Sequence, residues 1–389
     1  MTNPLDPSDI DSSDIHSSPT LRRESAARAA ADAMFRTAPE LAPDQGAGEI
    51  LRARQVRAPQ LDWVDAWHLL YTSTSSTEAT IAASATLLSP TLPTLIGMGP
   101  ILLYCPQFRG FSAESAPSVQ LQAGTDPDIE PVRTALDRGW TVVVPDGEGH
   151  GVLDAGPHTW LAGRAAAYTA LDAVRAARAM PDVALTDVPV AIWGYADGGR
   201  TAIWAGELHT DYAPEVPLAG VAAGAPALDP ITLITDLDGG AWSGLGLAGM
   251  IGLGQAYRHL PLDHVLTAEG RDAVADAQTL DIAELLSRYR APLGRWCEVV
   301  DPWSTSMWRY VLTREVAGTG TPTVPVHLYH GSRDSLIRPQ STRALDAAYR
   351  ARGVAVTWHE THATHLQAAA DAIGEVMTRL TELAHQDRT

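Results

Sequence analysis

The chain has little cysteine, phenylalanine or positive charge. Cys105 and Cys297 are its two cysteines in 389 residues. Two are too few for a disulfide framework and allow at most one disulfide. Cys105 falls on an apolar, strand-like run, which favours a reduced core thiol. Lys and Arg number 28 against 46 Asp and Glu, a formal charge of −18. Such a surface repels nucleic acid and anionic membranes, so neither is an expected partner. No run of about 18 apolar residues occurs, and no transmembrane helix is expected. The first twenty residues hold Asp6, Asp9, Asp11 and Asp14 and lack the basic and apolar regions of a secretory signal. On that ground the expected compartment is the cytoplasm.

What is present fits a soluble globular protein. The apolar fraction is 45% and the charged fraction 19%, enough for one large α/β domain with an insertion or for two ordinary domains. Residues 24–36 read as a helix. Strand-like runs occupy 79–88, 100–108, 141–146, 188–193, 218–223, 324–330 and 354–358. Helical patterns over 160–180, 199–208, 342–352 and 365–385 alternate with them. That alternation implies a mostly parallel sheet covered on both faces. It stops between residues 226 and 323, where Gly239-Gly240, Gly252 and Gly254 read as turns among helix candidates at 268–277 and 281–289. A helical insertion over the C-terminal ends of the strands accounts for this. Its Trp242, Trp296, Trp303, Trp308, Met250 and Met307 are each expected to be packing residues.

The most informative segment is Gly194-Tyr195-Ala196-Asp197-Gly198. It joins a strand to a helix through a small-residue turn, the context of a nucleophile elbow. The apex residue of such a turn carries the attacking hydroxyl, and here it is alanine. Asp197, one position later, should point away from any catalytic base and is not expected to replace it.

Further motifs follow in order: Ala116-Pro117-Ser118, Val143-Val144-Pro145-Asp146 before glycines, His158, Ala205-Gly206-Glu207-Leu208, Tyr212-Ala213-Pro214-Glu215, and His330-Gly331-Ser332-Arg333-Asp334. With the elbow, they make the chain resemble the secretory lipase family of α/β-hydrolases. The resemblance implies an α/β-hydrolase fold: a tail over 1–22, a core over 23–226 and 324–389, and a helical cap over 227–323. It also implies a small hydrophobic ester or lactone as ligand and no cofactor or metal. The chain departs from the family's pattern at Ala196, at Ser115 in place of a cysteine, and in the loop Pro106-Gln107-Phe108-Arg109-Gly110.

Triads on this fold run nucleophile, acid, histidine. Asp334, just after a strand, suits the acid, although a turn-capping Asp would look the same. His365 opens the last helix and matches the family's base; His362 is the fallback, and His359 ends a strand. The expected oxyanion donors are the Asp197 amide and one from Gln107, Phe108 or Arg109, with Tyr195 beside them. Arg109 is a candidate partner for an anionic substrate or leaving carboxylate. Glu148 and His150 end a strand at the same sheet edge and could assist proton transfer.

Without a serine, the leading expectation is elimination. His365, oriented by Asp334, would take a proton next to a carbonyl and expel a carboxylate such as acetate. Water attack, an engineered Ser→Ala in a carboxylesterase, and a non-catalytic pseudo-lipase that binds its ligand are the alternatives.

Overall fold

The computed structural model describes residues 29–386 except 43–44, 92–98, 182, 184 and 260–261. The tail expected over 1–22, and the start of the first helix candidate, lie outside the described residues. That candidate is helical over 29–36.

Among the described residues nine strands form one sheet: β1 (Ile50–Val56), β2 (Val64–Thr74), β3 (Thr80–Pro90), β4 (Ile101–Cys105), β5 (Thr141–Pro145), β6 (Val190–Tyr195), β7 (Leu218–Gly224), β8 (Val326–Gly331) and β9 (Val356–Thr361). Their order is β1-β2-β3-β5-β4-β6-β7-β8-β9. The pairs β1/β2, β2/β3 and β3/β5 are antiparallel, and from β5 to β9 every pair is parallel. This is the α/β-hydrolase architecture expected from the sequence.

The central strands are apolar along their length because both faces are covered. Along β6, Val190 and Ile192 pack into one core with the helices Gly163–Arg178 and Asp197–Tyr212. Ala191, Trp193 and Tyr195 face the other core, with Val132, Met377 and Leu380. Cys105 and Cys297 are buried free thiols.

Between β7 and β8 lie, among the described residues, six α-helices, from Pro230–Leu237 to Ser306–Arg314. Gly252 and Gly254 are not turn residues, as their composition suggested. They lie inside the helix Gly244–Ala256, most of which is buried. A Cβ on Gly252 would stand 2.3 Å from the Trp160 carbonyl oxygen, so tertiary approach overrides low helix propensity there. The insertion is stitched to the loop after β4. The Phe111 and Ser112 amides donate to the Leu280 carbonyl, at 2.8 and 3.1 Å, and the Ile282 amide donates to the Arg109 carbonyl at 2.9 Å. Of the insertion's aromatic and Met residues, Met250, Trp303 and Trp308 are buried, whereas Trp242 and Met307 are exposed. The closing helix is two, His365–Asp371 and Ile373–Gln386, parted at Ala372.

Candidate active site

β6 delivers Ala196 to its C-terminal end, and the helix Asp197–Tyr212 starts at once. Ala196 has φ 54° and ψ −117°, a conformation that costs a non-glycine residue about 1–3 kcal/mol. Its amide donates to the Gly224 carbonyl at 2.9 Å, and its carbonyl accepts from the Ala227 amide at 3.1 Å. The elbow is therefore built and strained as for a nucleophile, with a buried methyl group at its apex.

The turn after β8 holds Asp334, whose side chain is fully buried. Its Oδ1 accepts the Leu336 and Ile337 amides, both at 2.9 Å. Its Oδ2 takes His365 Nδ1 at 2.6 Å and His330 Nε2 at 3.2 Å. Burial alone would raise this carboxyl's pKa. The hydrogen bonds from His330, His365 and the Ile337 amide outweigh it and hold the group far below the usual carboxylate range. The stabilisation this gives is present above the unfolded-state carboxyl pKa and is lost as pH falls toward the folded one. Asp334→Asn should therefore cost about 2 kcal/mol at pH 7. The gap from the parent should narrow as denaturation is repeated from pH 5 downward; a gap that stays constant with pH would contradict the assignment.

His365 is brought to Asp334 by the start of its helix, where Thr364 and Gln367 form a capping box. Its Nε2 has no hydrogen bond among the described residues. Tyr195, expected beside the oxyanion donors, turns its side chain to His365. The hydroxyl donates to the His365 carbonyl at 2.6 Å, and the two rings lie 4.9 Å apart. Tyr195 thus ties the elbow to the base. His362, the fallback, is exposed and pairs with Ser332 Oγ at 3.2 Å. His359 pairs with Glu375 at the surface.

Arg109 does not face a substrate. It is buried, with Nη1 on Asp126 Oδ2 at 2.8 Å and Nη2 on Asp128 Oδ2 at 3.1 Å, and Nη1 also reaches Gln120. Burial opposes its charge, but Asp126 and Asp128 keep it protonated, so its planar fork is already matched. Glu148 and His150 share no hydrogen bond with His365 or Asp334 among the described residues. Glu148 takes the Thr159 hydroxyl at 3.3 Å, and burial raises its carboxyl pKa. His150 stacks on His158 at 4.4 Å, and burial first, then His158 and Arg109, keeps it neutral.

Two of the expected oxyanion donors already have partners. The Gln107 amide donates to Asp128 Oδ2 at 3.3 Å. The Phe108 amide donates to Asp197 Oδ1 at 3.1 Å, and Trp160 Nε1 donates to Asp197 Oδ2 at 3.0 Å. Behind this loop a cavity of about 60 Å³ is lined by Gln107, Phe108, Trp160, Asp197, Arg200 and Thr201, among others. It has room for a few waters and not for an ester. A second cleft, of about 170 Å³, opens beside the Asp334 turn between Ala227, Leu228, Leu233, Leu336 and Ile337.

Sequence reading missed His330, Trp160, Asp126, Asp128 and the buried pair Arg200–Glu315. His330 could have been found, because it stands four positions before Asp334 in the same motif. Nothing in the local sequence marks the others.

A family model described as secretory lipase matches residues 116–383. A protein of Mycobacterium tuberculosis named as a probable inactive lipase is 27% identical over 329 residues, covering 80% of this chain and 72% of its own length. A secreted triacylglycerol lipase of Malassezia furfur is 26% identical over 286 residues, covering 67% and 72%. The crystal structure of Candida antarctica lipase A in its closed state superposes with a TM-score of 0.81 at 21% identity, over 90% of this chain and 85% of that one. These findings correct the cytoplasmic expectation: the matching family is secretory, and relatives are named as secreted. Charge in the first twenty residues does not decide export.

Proposed function

Because this chain belongs to the secretory lipase family, we propose that it binds a hydrophobic carboxylic ester at the elbow and does not cleave it through an acyl-enzyme. One observation carries the reading: the side chain at position 196 is a methyl group, which has no lone pair to attack a carbonyl carbon. Loss of the serine costs about 10⁶ in turnover in a triad hydrolase, and what survives comes from binding and oxyanion stabilisation.

Support for an ester ligand comes from the family and from the walls of the 170 Å³ cleft, where Leu228, Leu233, Leu336 and Ile337 suit an acyl chain. The Ala227 amide joins that cleft to the Ala196 carbonyl. The insertion over 227–323 would cover the bound chain as a cap. In this reading His365, Asp334 and Tyr195 position the ligand and keep the elbow in register. The relative named as a probable inactive lipase is consistent with a natural loss of acyl transfer. The relatives are lipases by name, which favours an ester-directed protein over the elimination expected from the sequence.

A second reading is slow hydrolysis by water, with His365 as general base. The observation that favours it is Nε2 of His365, which has no hydrogen-bond partner among the described residues while Nδ1 is held by Asp334 at 2.6 Å.

The two are separated by titrating the protein with a long-chain alkyl ketone analogue of an ester and by assaying the matching p-nitrophenyl ester. Saturable binding, with nitrophenol release no faster than in buffer, is expected. Multiple-turnover release that His365→Ala abolishes would sink the binding reading and establish the second.

A further inference from the structure

The amides that a nucleophile elbow reserves for a developing oxyanion are the one after the apex and one from the loop after the β4 strand. In this chain the loop amide meets a carboxylate: Asp197 Oδ1 accepts the Phe108 amide at 3.1 Å. Trp160 Nε1 fixes the other oxygen at 3.0 Å. The helix Asp197–Tyr212 points its N-terminus at the carboxylate and favours the anion further.

We propose that the Asp197 carboxylate is a resident anion in the oxyanion pocket. It blocks acyl transfer independently of the alanine at the apex, and it restricts the site to ligands that present a neutral carbonyl. This deepens the ester-binding reading and rests on it. A tetrahedral intermediate would need to displace the carboxylate from Phe108 and would then stand beside a second negative charge. A free carboxylic acid or a phosphonate would meet the same repulsion.

The surroundings are consistent. Burial pushes the Asp197 carboxyl up to about 6, against the bonds from Phe108 and Trp160, with Asp128 adding to the rise. Other charged or titratable groups around it are Arg200, which is tied to Glu315, Arg109, which is tied to Asp126 and Asp128, the Asp146 carboxyl, the buried Cys105 thiol, and His150 and His158, whose rings burial keeps neutral. None of these supplies an unpaired cation to neutralise Asp197. At neutral pH the pocket therefore holds a net negative group in the place where acyl transfer needs a positive one.

The test begins with Ala196→Ser, alone and combined with Asp197→Gly or Asp197→Ala. In each, the installed hydroxyl would bond to the carbonyl carbon of a p-nitrophenyl ester. Its proton would pass to His365, and nitrophenolate would leave. A single oxyanion donor is worth about 10²–10³ in turnover, so the double variants should exceed Ala196→Ser by about 100-fold or more. Equal rates in the single and double variants would overturn the proposal, whereas hydrolysis by the parent would overturn the ester-binding reading instead.

A second measurement does not depend on restoring activity. The chain has three phenylalanines, so ¹⁵N-phenylalanine labelling gives a sparse amide spectrum. The Phe108 amide proton should titrate with a midpoint near pH 6 in the parent and cease to do so in Asp197→Ala. A Phe108 signal unmoved between pH 4 and 8, or one that still titrates in Asp197→Ala, refutes the contact.

Discussion

Glu315→Ala is expected to lower folding stability by about 3–5 kcal/mol, the cost of stranding a buried charge. Glu315 ends the last helix of the insertion and is buried, as is Arg200 on the elbow helix. Its Oε2 accepts the Gly163 amide at 2.6 Å and Arg200 Nη2 at 3.2 Å, while Oε1 accepts the Tyr257 hydroxyl. Three chain segments thus converge on one carboxylate. Burial opposes the Arg200 charge, which Glu315 supports. Without the Glu315 side chain the guanidinium keeps, among the described residues, a hydrogen bond to the carbonyl of residue 315 and loses its ion-pair partner. Denaturant unfolding of the variant measures the loss, and a cost below about 1 kcal/mol would show that water reaches the site. Arg200→Met combined with Glu315→Leu should recover most of the stability, since apolar replacement of a buried pair is often neutral.

Gly198→Ala should cost about 3 kcal/mol or more by overpacking. A Cβ at this position would lie 2.2 Å from the Cys105 carbonyl oxygen, and one on Gly194 would lie 2.1 Å from the Gly198 carbonyl oxygen. The obstacles are backbone atoms of β4 and of the elbow itself, so no side chain can swing aside. Gly374→Ala is the control: its Cβ would meet nothing within 4 Å, and it lies inside a helix. Its expected change is neutral or stabilising. Equal losses at both positions would mean that propensity, not close approach, sets the elbow's glycines.

These glycines are also why the elbow was legible. A strand, small residues around one strained position and a helix form a local pattern that needs no tertiary information. Asp334 and His365 were readable because chain order and strand ends fix where an acid and a base can stand. The strands β1 and β2 were not. Ile50–Val56 mixes two arginines and a glutamine with its apolar residues on a partly exposed edge, and Val64–Thr74 ends in Thr-Ser-Thr although it is mostly buried. Neither alternates cleanly, because cross-strand pairing rather than solvent decides their faces. The helix Gly244–Ala256 was hidden for the opposite reason, since its glycines signal a turn and serve instead as contact surfaces. The course of the Asp197 side chain was unreadable. Sequence places it one step past the apex, but only the fold brings Phe108 and Trp160 to meet it.

The stitching of the insertion decides which part of it can give way. Residues 280–282 share three backbone hydrogen bonds with the loop after β4, and Glu315 anchors the far end in the core. The opening helix, Pro230–Leu237, is held to the Asp334 turn by an exposed ion pair, Arg338–Asp236, at 2.8 Å, a kind of contact worth about 0–1 kcal/mol. Under the ester-binding reading, an oversized ligand would press first on this helix, whose other hold on the core is the apolar packing of Leu233, Ile234 and Leu237.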